Sequence, residues 1–222
     1  MEIRTNYHKK LRLIQDDILA MGSMVEKAII NSVEALKNRN LELAQQIITG
    51  DQKVNQKRFE IEDKCTQLIA TQQPMAGDLR AIICVLNIIT EIERIGDYAE
   101  GIAKIVIDIG NEPPLKPLID IPHMGEKVVD MLHRSLDALV NRDADAAKQI
   151  ANEDDKVDNL YDQVFRELLT FMIEDPKTIT RATRLIWVSH DLERSADRVT
   201  NICERVVYLV TGKMEEIGAS KY

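Results

Sequence analysis

The sequence repeats itself, and this internal repeat constrains the fold more than any other feature. Residues 25–55 align with residues 128–158 at a shift of 103, with 12 identities in 31 positions. Further along the chain the shift becomes 100, so that Glu93 aligns with Glu193 and Asp97 with Asp197. The three-residue difference falls in two loop-like stretches, where changes of length are tolerated. The repeat therefore predicts two copies of one structural unit.

Each copy is predicted to contain three helices. Apolar residues recur at spacings of three, four and seven, as in Leu185, Val188, Leu192 and Val199, which is the pattern of a helix that buries one face. The predicted spans are 3–38, 40–70 and 78–109 in the first copy and 119–141, 143–173 and 178–211 in the second. The breaks between them are short, so consecutive helices should be antiparallel neighbours.

The predicted fold is all-α, with two tandem antiparallel three-helix bundles related by the repeat. No segment of useful length alternates with a period of two, so no strand is expected. Four of the six prolines stand between the copies, at positions 113, 114, 117 and 122. We place the boundary there, which gives a first bundle over residues 1–112 and a second over residues 113–222.

Composition excludes several classes of protein. The 222 residues include 29 Lys and Arg against 37 Asp and Glu, and this net charge of −8 argues against a nucleic-acid-binding protein. The longest apolar run, residues 81–86, is far shorter than the roughly 20 residues of a membrane-spanning helix. We therefore expect no nucleic-acid partner and no direct insertion into a membrane. Cys65, Cys84 and Cys203 lie among apolar neighbours and are predicted to be buried free thiols.

Pairs of acidic residues lie beside the apolar stripes of the third and sixth helices. Glu93 and Asp97 are four residues apart, as are Glu193 and Asp197, so each pair shares one helical face with Cβ atoms about 6 Å apart. Two like charges at this spacing disfavour a helix by a few tenths of a kcal/mol. Each pair therefore needs a positively charged partner or free access to solvent.

The second helix of each copy adds further acids at the edge of its apolar face. Asp154 and Asp158 stand there in the second copy, and Asp51 stands there in the first, with Asn55 in place of the other acid. A carboxylate at such a position must be paired, bound to metal or protonated. If the helices pack antiparallel, these residues should meet the acid pairs of the third and sixth helices. Asn201, one turn after Asp197, extends the group of polar residues in the second copy.

Two interpretations of these acids remain open. Several carboxylates from two helices make an oxygen-rich site that suits hard cations such as Mg²⁺, Ca²⁺, Mn²⁺ or iron. Alternatively, the acids belong only to a salt-bridge network of a structural scaffold, with Arg94, Arg194, Lys53 and Lys156 as the partners. His190, one turn before Glu193, is another possible ligand, although capping of a solvated edge is the simpler interpretation.

No enzymatic activity is predicted. A ferritin-like di-iron enzyme would use Glu-x-x-His pairs, and the sequence contains none. The sequence also lacks a P-loop, a glycine-rich strand-to-helix turn and zinc-type Cys/His spacing. A non-catalytic adaptor and a purely structural helical scaffold are the two remaining classes.

The two copies of the acidic motif resemble the PhoU family. The motifs are Glu91-Ile-Glu-Arg-Ile-Gly-Asp97 and Asp191-Leu-Glu-Arg-Ser-Ala-Asp197, and residues 73–80 are similar to the family's loop before its third helix. The resemblance covers roughly residues 5–212. It implies a cytoplasmic negative regulator of phosphate uptake and of the phosphate-starvation response. Such a regulator acts between the ATPase subunit of the phosphate ABC transporter and a phosphate-sensing histidine kinase, at the inner membrane through protein partners only.

The resemblance also implies self-association, here expected as a homodimer, and metal binding. The implied cation is divalent or trivalent: iron, manganese, magnesium, calcium or zinc. The implied ligands are the acids already described, with two amides completing the sets: Glu93, Asp97, Asp51 and Asn55 in the first copy, and Glu193, Asp197, Asp154, Asp158 and Asn201 in the second. Because Asn55 stands where the family pattern has an acid, we expect the first site to bind more weakly.

Overall fold

Long helices make up most of the protein, as the apolar periodicity predicts. The structure, a computed structural model, describes residues 2–217, with side chains from residue 6 onward. Its helices are α1 (Glu2–Asn38), α2 (Leu41–Gln72), α3 (Gly77–Ile109), α4 (Asp120–Asn141), α5 (Ala144–Ala151), α6 (Asp154–Glu174) and α7 (Ile179–Thr211). A 3-10 turn, Pro176–Thr178, precedes α7. The described residues contain no strand, and the all-α fold of two tandem bundles is confirmed.

The helices pack as a group of three and a group of four that share one core. Helices α1, α2 and α3 contact one another, and α7 contacts α4, α5 and α6. The two groups meet most extensively between α3 and α7, and again between α1 and α4. The buried apolar residues form one continuous cluster across both groups. The predicted domain ranges also include residue 1 and residues 218–222, which lie outside the described residues.

The repeat is visible in the capping of the helices. Asn40 accepts a hydrogen bond from the Leu43 amide at 3.0 Å and so caps α2, while Asp143 accepts one from the Ala146 amide at 2.9 Å and caps α5. The residue before each cap, Arg39 or Arg142, has a positive φ of 55° or 54° and ends the preceding helix. These pairs are equivalent at the shift of 103, so the sequence repeat encodes the same helix–turn–helix in both copies.

The prediction of one continuous helix over 143–173 was wrong, because the structure divides it at Asn152 and Glu153. Arg134 on α4 donates a hydrogen bond to Glu153 Oε1 at 2.9 Å and holds the turn against α4. The equivalents of Arg134 and Glu153 in the first copy are Asn31 and Gly50, which cannot form this ion pair, and α2 is unbroken there. The break is therefore associated with a tertiary contact that only the second copy has.

The prediction for the cysteines is confirmed, since all three thiols are free and buried. Burial raises the pKa of Cys65 and of Cys203 to about 12 and that of Cys84 to about 11, so the thiols are uncharged and inert.

No helix within the described part of the chain combines the length and the apolar character that a membrane span requires.

Candidate functional site

Four acidic side chains of the second copy lie near one another where the start of α6 faces the middle of α7. Asp154 and Asp158 stand one turn apart on α6, as do Glu193 and Asp197 on α7. Burial raises the pKa of Asp154 to about 7, and the negative charges of the other three add to the effect. Burial, together with Asp197 and Asp158, also raises the pKa of Glu193 to about 7. These four residues form what we call the second carboxylate cluster.

The second carboxylate cluster contains buried oxygen atoms that accept no hydrogen bond. They are Asp154 Oδ1, Asp158 Oδ1 and Glu193 Oε2. The fourth acid is partnered, because Arg194 Nη1 donates to Asp197 Oδ2 at 2.6 Å. A buried carboxylate oxygen without a partner is costly. The salt-bridge interpretation therefore accounts for Asp197 and leaves the other three acids without an ion pair, although the charge of Arg194 partly offsets that of Glu193.

The break between α5 and α6 gives this cluster an electrostatic feature that the sequence analysis missed. Because α6 begins at Asp154, that carboxylate lies in the first turn of a helix, where the unpaired amides carry a partial positive charge. An anion at such a position is stabilised by about 0.3–1 kcal/mol. Asp51, the equivalent of Asp154, lies inside the unbroken α2 and lacks this contribution.

The first copy brings its predicted residues together in a different way. Asn55 Nδ2 donates to Asp51 Oδ2 at 2.7 Å, and Arg58 Nε lies 3.7 Å from Glu93 Oε1. Burial raises the pKa of Asp51, Glu93 and Asp97; the charge of Asp97 adds to the rise at Asp51 and Glu93, and the charge of Glu100 adds to the rise at Asp97. None of their oxygens is among the buried unpartnered atoms of the described residues. The first carboxylate cluster, defined as Asp51, Asn55, Glu93 and Asp97, thus differs from the second in that no buried oxygen of its acids lacks a partner among the described residues.

Asn201 lies at the contact between α3 and α7. Its Nδ2 donates to Glu91 Oε2 at 3.2 Å, and Arg198 Nη1 donates to the same oxygen at 3.5 Å. Under the shift of 100, Asn201 and Glu91 correspond to Gly101 and Asp191, which also face each other. The amide nitrogen of Asn201 is thus committed to α3, and a role for this residue as a metal ligand stays a prediction.

Aromatic rings adjoin the second carboxylate cluster, and the sequence indicated only His190 among them. The ring centroid of His190 lies 5.5 Å from that of Trp187 and 6.2 Å from that of Tyr161, edge-on to both. Tyr161 is in turn 6.3 Å from Phe165, one turn along α6. His190 Nδ1 is buried and accepts or donates no hydrogen bond, and burial lowers the pKa of this imidazole. The aromatic residues four apart on α6 were the signal that could have revealed this group.

The second carboxylate cluster offers the type of donor that hard cations prefer, although its side chains are not arranged as a metal site in this structure. Carboxylate oxygens are the ligands that such ions prefer, and three of them are buried without a partner. In the side-chain conformations of the structure, no three His, Cys, Asp or Glu side chains within residues 6–217 enclose a single point as metal ligands. The residues that would hold a cation are Asp154, Asp158, Glu193 and Asp197, and its positive charge would offset their repulsion.

Comparison with known proteins gives a consistent result over nearly the whole chain. The PhoU domain model matches residues 18–106 and 121–206. The chain is 40% identical to the phosphate-specific transport system accessory protein PhoU homolog of Clostridium acetobutylicum, over 96% of this chain and 98% of that protein. It is 35% identical to the phosphate-specific transport system accessory protein PhoU of Escherichia coli, over 95% and 88% of the two chains.

Solved structures agree with the sequence comparison. The crystal structure of PhoU from Pseudomonas aeruginosa matches with a TM-score of 0.88 and 38% identity, over 93% of this chain and all of that chain. The phosphate transport system regulatory protein PhoU from Streptococcus pneumoniae matches with a TM-score of 0.88 and 30% identity, over 95% and 100% of the two chains. The two domain matches coincide with the two copies of the repeat. This chain belongs to the PhoU family.

Proposed function

We propose that this protein is an accessory regulator of phosphate transport, which restrains phosphate uptake and the phosphate-starvation response when phosphate is plentiful. The observation that carries the proposal is family membership across both repeats. Relatives that are named as accessory proteins of the phosphate-specific transport system align over 88–98% of their own length. The names of these relatives state a role as accessory proteins of phosphate transport, and we propose the same role for the whole of this chain.

In this proposal the protein acts in the cytoplasm as an adaptor without catalytic activity. Its partners are the ATPase subunit of a phosphate ABC transporter and a phosphate-sensing histidine kinase, and it reaches the inner membrane through them. The working form is a homodimer, since two-fold dimers are the commonest soluble assemblies. Broad charged surfaces support an adaptor role, with charged residues making up 30% of the chain.

We further propose that the second carboxylate cluster binds a divalent or trivalent cation and that the first cluster binds one more weakly. The support is the asymmetry between them. Three buried acid oxygens lack partners in the second cluster and, within residues 6–217, none does in the first, where Asn55 donates to Asp51 and Arg58 lies 3.7 Å from Glu93. The competing proposal is a structural scaffold whose acids are only salt-bridged, and the ion pair between Arg194 and Asp197 at 2.6 Å favours it for that acid alone.

Deletion of the gene in its host tests the transport role. In phosphate-rich medium we expect the deletion strain to take up radiolabelled phosphate faster and to express phosphate-starvation genes, and the wild-type gene on a plasmid should reverse both effects. A second deletion, of the transporter ATPase, should remove the uptake effect. Unchanged uptake and unchanged starvation-gene expression in the deletion strain would contradict the proposal.

A further inference from the structure

A row of exposed apolar side chains runs along α6 and continues on α7. Phe165, Leu169 and Ile173 recur every four residues on α6, and Ile179 and Trp187 lie on α7. Their exposed fractions range from 40% to 74%. We call these five residues the α6–α7 stripe. Tyr161 and His190 link its two helices through the ring contacts described above.

The two parts of the stripe lie on neighbouring antiparallel helices. The contact between Tyr161 and His190 sets the register, and the same register places Phe165 level with Trp187 and Ile173 level with Ile179. Large apolar side chains that are exposed singly need no explanation, but a contiguous set is typical of an interaction surface.

The repeat provides an internal comparison for this surface. At the shift of 103, Phe165, Leu169 and Ile173 correspond to Glu62, Thr66 and Ala70 on α2. On that helix Glu62 Oε1 instead lies 3.5 Å from Arg58 Nη1, in an ion pair. The first copy folds into the same helix pair without an apolar row on its outer face. The three-helix fold therefore does not require the stripe on α6.

The size of the stripe matches a single helix better than a second globular surface. Residues 161–173 extend about 20 Å along α6, and two adjacent helices are about 20 Å wide, which gives a footprint of about 400 Å². Each partner in a standard protein complex buries about 800 Å². A helix of about 13 residues that lays its apolar face on the stripe would fill it, in the mode by which amphipathic helices occupy grooves.

The charge at one end of the stripe indicates the chemistry of that helix. Beyond Tyr161 and His190 lies the second carboxylate cluster, in which Asp158 and Glu193 are half-buried residues and so partly accessible from outside. A cationic side chain at this end would find carboxylate acceptors and aromatic ring faces together, and arginine binds to both. An acidic side chain would be repelled there.

We propose that the α6–α7 stripe docks an amphipathic helix of a partner protein, with a basic residue of that helix over the second carboxylate cluster. The inference deepens the proposed function, on which it rests for the existence of a partner, by naming the surface where that partner binds. A metal cation in the second carboxylate cluster would compete with the basic residue of the partner helix. Peptide binding is therefore measured in the presence of a chelator.

The experiment uses the full-length protein and a synthetic helical peptide of 16 residues. One peptide carries leucines at spacings of three and four and two arginines at one end, and its twin carries glutamates in place of the arginines. Trp187 is the only tryptophan and belongs to the stripe, so its fluorescence reports occupancy. We expect a saturable blue shift with the arginine peptide and at least about tenfold weaker binding of the glutamate peptide at low salt.

Variants of the protein locate the binding. The double variant Phe165→Glu with Leu169→Thr introduces the residues of the first copy. It should bind the arginine peptide about tenfold more weakly, or more weakly still. Ile30→Thr, at an exposed apolar residue of α1, is the matched control and should bind like the wild type. Circular dichroism checks the fold of each variant, and the single variant Leu169→Thr, with an expected loss of severalfold, replaces the double variant if that fails to fold.

Several results would overturn the proposal. These are the absence of a saturable shift with the arginine peptide, equal binding of the two peptides, and equal weakening by Ile30→Thr. A blue shift that develops with protein concentration alone, together with self-association in light scattering that Phe165→Glu with Leu169→Thr abolishes, would instead assign the stripe to a second copy. A shift with anionic vesicles but not with peptide would assign it to a membrane. Peptide binding does not depend on phosphate uptake, so failure of the transport role and failure of this surface are separable.

Discussion

Gly22 on α1 lies so close to Leu136 on α4 that a methyl group added at Gly22 would come within 2.2 Å of Leu136 Cδ1. The equivalent pair at the shift of 103 is Gly125 and Val33, where the added methyl would lie 3.0 Å from Val33 Cγ2. The two pairs exchange helices, as expected if an approximate two-fold axis passes between α1 and α4. Glycine at both positions permits this close approach of the two bundles.

Gly22→Ala should destabilise the protein. Alanine in a helix is favoured over glycine by up to about 1 kcal/mol, but overpacking of a filled core costs about 1–3 kcal/mol. Since 2.2 Å is a severe overlap, the overpacking should exceed the gain, and urea denaturation should show a lower free energy of unfolding. Gly125→Ala, with its milder contact, is the matched control and should cost less. A more stable Gly22→Ala variant would show that α1 and α4 are not packed this closely.

The two helix caps should contribute equally to stability. Replacement of Asn40 or of Asp143 by alanine removes the acceptor for one amide of the first helical turn, at 3.0 Å and 2.9 Å. Each variant should lose about 1 kcal/mol of unfolding free energy, because loss of a cap typically has this effect. Thermal melts of the two single variants and of the double variant, which should be additive for such distant sites, provide the measurement. A neutral effect at either position would contradict the cap assignment.

The sequence predicts features that depend on local pattern and misses those that depend on contacts between elements. Helix spans and the equivalence of Asn40 with Asp143 follow from periodicity and from the repeat. The break before Asp154 does not follow from the local pattern, because neither Asn152 nor Glu153 is a glycine or a proline. The turn is held instead by Arg134 from another helix.

The candidate site shows the same division between what was predictable and what was not. Spacing predicts that Glu193, Asp197 and Asn201 lie on one helical row. Only the packing of α3 against α7 reveals that the amide of Asn201 donates to Glu91. The sequence also could not show which oxygens of the second carboxylate cluster lack a partner, since Arg194 could pair with any of its acids.

Asp191 should make the protein less stable as the pH rises. Burial raises the pKa of this carboxyl from 3.8 to about 7. Between these two values the folded state binds more protons than the unfolded state, so the free energy of unfolding falls as the pH increases from about 4 to 7. Asp191→Asn should remove the penalty and stabilise the protein at pH 8 by on the order of 1–2 kcal/mol, after allowance for partial exposure, with little effect near pH 4.

The equivalent residue of the other copy is the control for this prediction. Glu91 accepts hydrogen bonds from Asn201 and Arg198, so Glu91→Gln should give no stabilisation at pH 8. Urea denaturation of both variants at pH 4.5 and pH 8 measures the difference. A loss of stability in Asp191→Asn at pH 8 would show that its charged form is favourably solvated or paired.

Asn55→Asp should convert the first carboxylate cluster into a closer copy of the second. The substitution removes the 2.7 Å hydrogen bond to Asp51 and sets two like charges one turn apart. The metal-free variant should be less stable by about 1 kcal/mol. Added Mn²⁺ or Mg²⁺ should raise its melting temperature by more than that of the wild type, because a fourth carboxylate strengthens a hard-cation site. Differential scanning calorimetry with and without a chelator decides the matter, and an identical metal response in both proteins would contradict a cation site at this position.

The double variant Glu193→Gln with Asp197→Asn separates cation binding from salt bridging at the second carboxylate cluster. If the cluster binds a cation, metal at about 100 times its dissociation constant should stabilise the wild type by about 2.7 kcal/mol, a rise of roughly 5–10 °C in melting temperature. The double variant should lose this rise while its metal-free form stays at least as stable, because repulsion among the acids is relieved. If the acids are only salt-bridged, Arg194 loses its partner at 2.6 Å and the variant melts lower with or without metal. The matched double variant Glu93→Gln with Asp97→Asn should keep most of the metal-dependent rise in melting temperature. If Mg²⁺, Ca²⁺, Mn²⁺, Zn²⁺ and iron all leave the melting temperature of the wild type unchanged, the cation site is refuted.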